Sequence, residues 1–176
     1  MGSPSAPEKV KLIAGLIFRD GGDLKEAESA LARRFGPADF ESQTTEFAST
    51  RYYEKEFGPG LKRRFLSFER LVRPDGMARV KLITNAIEKT LSRSGKRVVN
   101  IDPGYLDLSK LVLLTTKNYF HRIYLGKGIY AEVTLFYRDG SFNHFDWTYP
   151  DYRSREYADT FGRIRELYKR AIKDAD

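Results

Sequence analysis

The chain has 176 residues and a formal net charge of +7, with 31 Lys/Arg against 24 Asp/Glu. That length is near the usual size of one domain and too short for two comfortable ones, so it reads as a tail over residues 1–8 followed by a single domain over 9–176. There is no cysteine, which excludes disulfides and thiolate metal sites and points to a reducing compartment, the cytoplasm.

Met1–Pro7 is small, polar and proline-bearing and lacks the apolar core of a signal peptide. The longest apolar stretch, Leu12–Phe18, is far short of the roughly 18 residues that cross a bilayer, so no membrane partner is expected. Residues 61–100 hold 11 Lys/Arg against 3 Asp/Glu, which makes the positive excess regional. Such a segment is either a solvated face or an attractor for phosphates and nucleic acid.

In chain order, Val10–Phe18 reads as a short strand buried on both faces and closed by Asp20-Gly21-Gly22. A helix then opens at Asp23, whose carboxylate caps the free amides while Glu26 reaches back as its capping-box partner. Leu24, Ala27, Leu31 and Phe35 share one face of it, and Gly36-Pro37 ends it. Residues 40–48 are a second strand, a loop containing Gly58-Pro59-Gly60 follows, and Leu61–Val72 is a longer third strand. Pro74 starts a second helix that buries Met77, Val80, Ile83, Ile87 and Leu91 and stops near Gly95. Arg97–Ile101 is the fourth strand. The order β-α-β-β-α-β predicts an α+β fold built on a ferredoxin-like split βαβ unit.

Asp102-Pro103-Gly104-Tyr105 has the composition of a turn out of that unit. Leu106–Lys117 supports a helix capped by Asp107 or a strand favoured by Val112 and Thr115-Thr116, with the helix preferred. A C-terminal antiparallel β-meander follows: Phe120–Leu125 and Ile129–Arg138 flank Gly126-Lys127-Gly128, and a type I′ hairpin at Asp139-Gly140 leads into Ser141–Trp147. A terminal helix capped by Ser154 or Asp151 carries Tyr157, Phe161, Ile164, Tyr168 and Ala171 on one face.

Hairpin geometry assigns faces to the meander. It sets Arg138 opposite Ser141, Glu132 opposite Trp147, Leu125 opposite Ile129, Tyr124 opposite Tyr130 and Arg122 opposite Glu132. Ile123, Ile129, Ala131, Val133 and Leu135 then face the core. The other face gathers Arg122, Tyr124, Tyr130, Glu132, Thr134, Phe145 and Trp147. A guanidinium beside flat rings suits phosphate or base recognition, although a cross-strand Arg and Glu pair is also an ordinary structural feature. His121 falls on the apolar face, where a lone histidine is usually a core residue; a one-residue slip at the three-residue loop exchanges it with Arg122.

Asp102 either serves its turn or acts as a base or metal ligand. Lys117, after two threonines, can meet a phosphate, but no Gly-x-x-x-x-Gly-Lys-Ser/Thr run occurs, which excludes a P-loop. His121 and His144 do not stand at a His-x-x-x-His spacing, so no histidine metal site is expected; Mg²⁺ held by carboxylates alone stays open as a cofactor. No elbow for Ser/His/Asp catalysis is present.

Asn100–Tyr105, Lys110-Leu111-Val112, Thr116-Lys117, His121–Gly126, Gly128–Glu132 and Trp147–Tyr152, with Gly58-Pro59-Gly60-Leu61 and Phe65–Arg70, resemble the prokaryotic domain of unknown function 4416 family over nearly the whole chain from Val10. The resemblance implies one neighbourhood containing the Asp102 turn, His121-Arg122, Glu132 and the segment from Trp147 to Asp151. Some members carry an automatic label of GTP-binding protein, yet no guanine-reading Asn-Lys-x-Asp occurs here.

The leading expectation is an enzyme or ligand-binding domain for a phosphorylated or nucleotide-like small molecule. Lys117 and Arg122 would hold the anion, Tyr124, Tyr130 and Trp147 would pack the flat or sugar part with Asp151 nearby, and Asp102, His121 or Glu132 would supply acid-base chemistry or hold Mg²⁺. One rival is an RNA-binding module with Lys62, Arg63, Arg64, Arg79 and Arg93 along the phosphates. The other is a non-catalytic interaction protein that uses the aromatic face as an interface.

Overall fold

The computed structural model describes residues 2–48 and 53–174, with side chains at all of these but 54 and 55. Its centre is β1 (Val10–Phe18), buried along its whole length, as a nearly all-apolar run requires when both faces of a sheet are covered. β4 (Lys62–Val72) and β5 (Val99–Leu106) flank it, both antiparallel. The sheet runs β2 (Ala38–Glu41), β4, β1, β5, β6 (Lys110–Thr115), β8 (Ile129–Arg138), β7 (Ile123–Gly126); β3 (Thr45–Glu46) pairs with β4 and β9 (Ser141–His144) with β8. The fold is α+β, with a large antiparallel sheet and a C-terminal helix.

Helices α1 (Gly21–Phe35) and α3 (Met77–Leu91) cover one face, where Leu24, Leu31, Met77 and Ile87 pack on Leu12, Leu16 and Ile101. α4 (Arg155–Lys173) covers the other, laying Tyr157, Phe161, Ile164 and Tyr168 on Ile13, Phe65, Leu111 and Leu135. That stripe follows the helical repeat, and Ser154 caps the helix by accepting from the Tyr157 amide. The short α2 (Glu54–Phe57) brings Phe57 to Phe47, Ile17 and Leu61 in a third cluster. Among the described residues, no helix is long and apolar enough to cross a membrane.

Several local expectations change. α1 is capped by Asp20, which accepts from the Gly22 amide at 2.6 Å; Asp23 lies in the first turn and ion-pairs with Arg93 at 2.9 Å, so it does not cap the helix. Residues 40–48 form two short strands, β2 and β3, rather than one, and residues 49–52 of the expected loop lie outside the described residues. Pro74–Gly76 is a 3₁₀ turn before α3.

The largest change is at Asp102-Pro103-Gly104-Tyr105. No turn forms there; β5 runs straight through, with Asp102 opposite Gly15 and Gly104 opposite both Ile13 and Leu113. Gly104 is needed for its small size, since a Cβ there would lie 2.3 Å from the Val112 carbonyl oxygen. The following segment is strand β6 instead of a helix. Asp107, expected to cap that helix, closes the β5–β6 hairpin by accepting from the Ser109 and Lys110 amides at 2.7 and 2.9 Å. Leu111–Leu114 is buried throughout, and an uninterrupted apolar run of that length fits a strand covered on both faces.

In the meander, Asp139 and Gly140 take φ of +54° and +81°, as a type I′ turn demands, and Arg138 faces Ser141. Tyr124 faces Tyr130, but Gly126 rather than Leu125 opposes Ile129. β7 begins at Ile123, so His121 and Arg122 stand outside the ladder, and Ile123 is 71% exposed because β7 is the edge of the sheet. β9 ends at His144, so Trp147 does not pair with Glu132. A second irregularity leaves Thr134 unopposed between Leu111–Leu135 and Val112–Val133. It breaks the alternation of β8, so that Glu132, Thr134 and Leu135 are all buried.

Candidate functional site

The sheet opens between β5 and β6. Their ladder covers only Gly104–Leu106 with Leu111–Leu113. Val99–Pro103 pair with β1 alone, and Leu114-Thr115 pair with β8 alone. Pro103, which has no amide hydrogen, sits where β5 has lost its neighbour on that side, the kind of place in which a strand tolerates proline. A cavity of about 710 Å³ occupies the gap, within the usual range for small-molecule sites. It is lined by Lys81, Asn85 and Glu88 of α3, Asn100 and Asp102 of β5, Leu113–Thr115 of β6, Glu132 of β8, Arg63 of β4, and Tyr149–Tyr152 before α4. Both faces of the sheet therefore contribute to its walls.

Arg63 lies at its heart, with a side chain only 4% exposed. Nη2 is 3.1 Å from Asp151 and Nη1 is 3.6 Å from Asp102. The rings of Phe47, Phe65 and Tyr152 surround the guanidinium at 4.8, 5.4 and 5.6 Å. Gly15 makes this path across β1: it opposes Phe65 on one side and Asp102 on the other, and a Cβ there would lie 2.9 Å from Arg63 Nη1. Arg63 Nε and Nη1, Asn100 Nδ2 and the Tyr152 hydroxyl are buried and make no hydrogen bond among the described residues. Each such group costs about 1–3 kcal/mol if it stays unmatched.

The lining carboxylates differ in how far they are engaged. Glu88 accepts from the Ile101 amide at 2.6 Å and from Arg97 at 2.9 Å. Glu132 accepts from Arg122 Nε at 2.7 Å and lies 3.0 Å from His121 Nε2. Asp151 accepts from Arg63. Asp102, with a side chain 26% exposed, has the 3.6 Å approach of Arg63 and no hydrogen bond among the described residues. Burial raises Asp151 and Glu88 above the ordinary carboxylate range; Arg63 opposes this for the first, and Lys81, the Ile101 amide and Arg97 oppose it for the second. Burial likewise pushes up the Tyr149 phenol, with Arg122 pulling the other way. Lys81 Nζ donates to the Ile101 carbonyl at 3.0 Å.

Of the residues expected to form the site, Asp102, Lys117, Glu132 and Asp151 line the cavity. Arg122 reaches its rim, donating to Glu132, to the Lys117 carbonyl at 3.0 Å and to the Tyr149 hydroxyl at 2.8 Å. His121 and Trp147 stand behind Glu132 rather than on the wall. Their rings stack at 5.4 Å, Trp147 stacks in turn on Phe145 at 4.6 Å, and its indole N–H donates to the Val133 carbonyl. Tyr124 and Tyr130 touch each other at 5.2 Å and line no part of the cavity. The expected open polar face is closed over Glu132 and Thr134, because Thr148 donates to the Thr134 carbonyl at 2.6 Å and draws the chain after β9 back across β8, while Tyr124 stays exposed.

The basic segment is largely neutralised within the protein. Arg63 is buried, Arg64 pairs with Glu28 and Glu41, and Arg93 pairs with Asp23 and Glu26, while Arg79 is exposed. The lining role of Asn100 and the inward role of Arg63 escaped the sequence reading, while Tyr149 fell within the segment from Trp147 to Asp151. A usable signal was Gly15, a residue without a side chain inside an apolar strand, which marks a close approach. Among the described residues, no group of three or more His, Asp or Glu side chains is placed to hold a metal ion.

Comparison with curated proteins and with solved structures gives no match. A family model matches residues 8–168, a span that contains every cavity residue named above. The chain, with its split sheet and the cavity inside it, belongs to the family described as Domain of unknown function (DUF4416).

Proposed function

We propose that this protein is an enzyme or ligand-binding domain for a phosphorylated or nucleotide-like small molecule, held in the gap between β5 and β6. The observation that carries this reading is the convergence on one cavity of buried polar atoms without partners among the described residues, from Arg63, Asn100 and Tyr152. An anion fits best at the end marked by Lys117 and Arg122, and the rest of the molecule against Tyr53, Phe47 and Tyr149. The test is a thermal-shift panel of nucleoside phosphates and sugar phosphates, with and without Mg²⁺. A concentration-dependent rise in Tm with some of them is expected, and no shift with any overturns the reading.

The strand order β2-β4-β1-β5, with α1 and α3 crossing one face, supports assigning residues 10–106 to a ferredoxin-like split βαβ unit, extended by the meander and α4. The absence of cysteine supports a reducing compartment, the cytoplasm, as its place.

One observation favours a second reading, a non-catalytic interaction protein. Tyr119 and Phe120, just before the edge strand β7, and Ile123, Tyr124 and Leu125 on it are 60, 81, 71, 58 and 41% exposed, at a sheet edge where apolar side chains are usually covered by a partner. Light scattering tests it: an assembly that Ile123→Lys dissolves supports it, and a monomer at every concentration overturns it. RNA binding draws less support, because Arg63, Arg64 and Arg93 are buried or ion-paired.

A further inference from the structure

We infer that Asp102 and Arg63 form a hydroxyl-recognition site, and that the molecule bound in the cavity carries a vicinal diol, as a ribose or a sugar ring does. This rests on the reading of the cavity as a small-molecule site and adds which part of the molecule the buried end selects.

The charges at that end argue against an anion there. Arg63 is one cation between two carboxylates, Asp102 and Asp151, so a phosphate placed on it would meet like charge on both sides. An ammonium group would satisfy Asp102 but would sit beside the Arg63 charge and leave Arg63 Nε and Nη1 without acceptors.

The spacing fits a hydroxyl. Arg63 Nη1 and Asp102 Oδ2 are 3.6 Å apart, beyond a hydrogen bond, yet a single oxygen beside the pair and within reach of both can accept from the guanidinium and donate to the carboxylate. A hydroxyl is the simplest group that does both. Asp102 keeps its other oxygen for a neighbouring hydroxyl, and a carboxylate that accepts hydrogen bonds from two hydroxyls is the usual way a protein grips a ribose diol. Asn100, two residues earlier on the same face of β5, brings an amide with no acceptor among the described residues to the same wall. The remaining lining carboxylates, Glu88, Glu132 and Asp151, are already engaged by protein donors, and among the described residues Asp102 is the lining carboxylate left for a ligand.

Titration calorimetry on the full chain separates the possibilities. The probes are 5′-ribonucleoside monophosphates and ribose 5-phosphate, against 2′,3′-dideoxynucleoside monophosphates, 2-deoxyribose 5-phosphate and inorganic phosphate. The diol-bearing member of a matched pair is expected to bind about tenfold or more tightly, the worth of one or two charge-assisted hydrogen bonds. Asp102→Asn should bring it to the level of its deoxy counterpart and leave that counterpart unchanged. Equal affinities within the matched pairs overturn the diol assignment and leave the small-molecule reading standing; no binding of any probe overturns both. The matched pairs are measured on the native protein, so the result holds even if the variant does not fold.

Discussion

Arg63 is the residue on which the centre of the molecule turns. Burial works against its charge, and Tyr152, Asp102 and Asp151 outweigh burial and hold it protonated. Arg63→Met leaves Asp151 buried without its partner and is expected to cost about 3–5 kcal/mol near neutral pH. Burial already raises the Asp151 pKa in the fold and Arg63 restrains it, so the variant raises it further. A raised carboxyl favours the fold below its unfolded pKa and loses that contribution as pH rises through the folded value. The gap between native and variant in urea unfolding should therefore narrow from about pH 7 to about pH 5; a gap indifferent to pH counts against the pairing. From the charge run alone, Arg63 looks like its neighbours Lys62 and Arg64. Its phase with Phe65 and Ser67 on the strand was the legible clue, and those three are all buried.

Among the elements, β5 shows composition giving way to pairing. Asp-Pro-Gly usually turns a chain, but β1 binds all eight residues of this strand, and the ladder outweighs the local preference. Gly104→Ala should force β5 and β6 apart at the one stretch where they meet, with a loss of roughly 1–3 kcal/mol in chemical denaturation. An unchanged midpoint would mean that the 2.3 Å approach to Val112 is not maintained in solution. Ser154→Ala removes the cap of α4 and should lower stability by about 1 kcal/mol without disturbing the cavity; a loss of ligand response in that variant would show that α4 is coupled to the site. α1, α3, α4, β1, β4 and β8 were legible because apolar period and caps act within a few residues. β6 was not, because it has no alternating period, and β7 was legible as a strand but not in its start or register, which depend on a bulge.

For the whole molecule, phenols provide a test of how tightly the layers close. Burial raises the pKa of Tyr53, Tyr105, Tyr149, Tyr152, Tyr157 and Tyr168. Their contribution is complete below the unfolded value of about 10 and falls away as pH rises through the folded values, since only the unfolded chain ionises easily in that window. Phenolate absorbance from these rings should appear together with loss of near-ultraviolet circular dichroism; early, stepwise ionisation in a folded protein would show the layers to be open. What the sequence determined by itself was local: an α+β content, two-faced burial of β1, three amphipathic helices, the Asp139-Gly140 hairpin and the gathering of Glu132 with Arg122. Tertiary structure alone decided where β5 parts from β6, that Arg63 points inward, and that Asp151 meets it from 88 positions away. The reason is physical: period, caps and turn chemistry act over a few residues, whereas a gap in a sheet exists only once strands distant in the chain have taken their places.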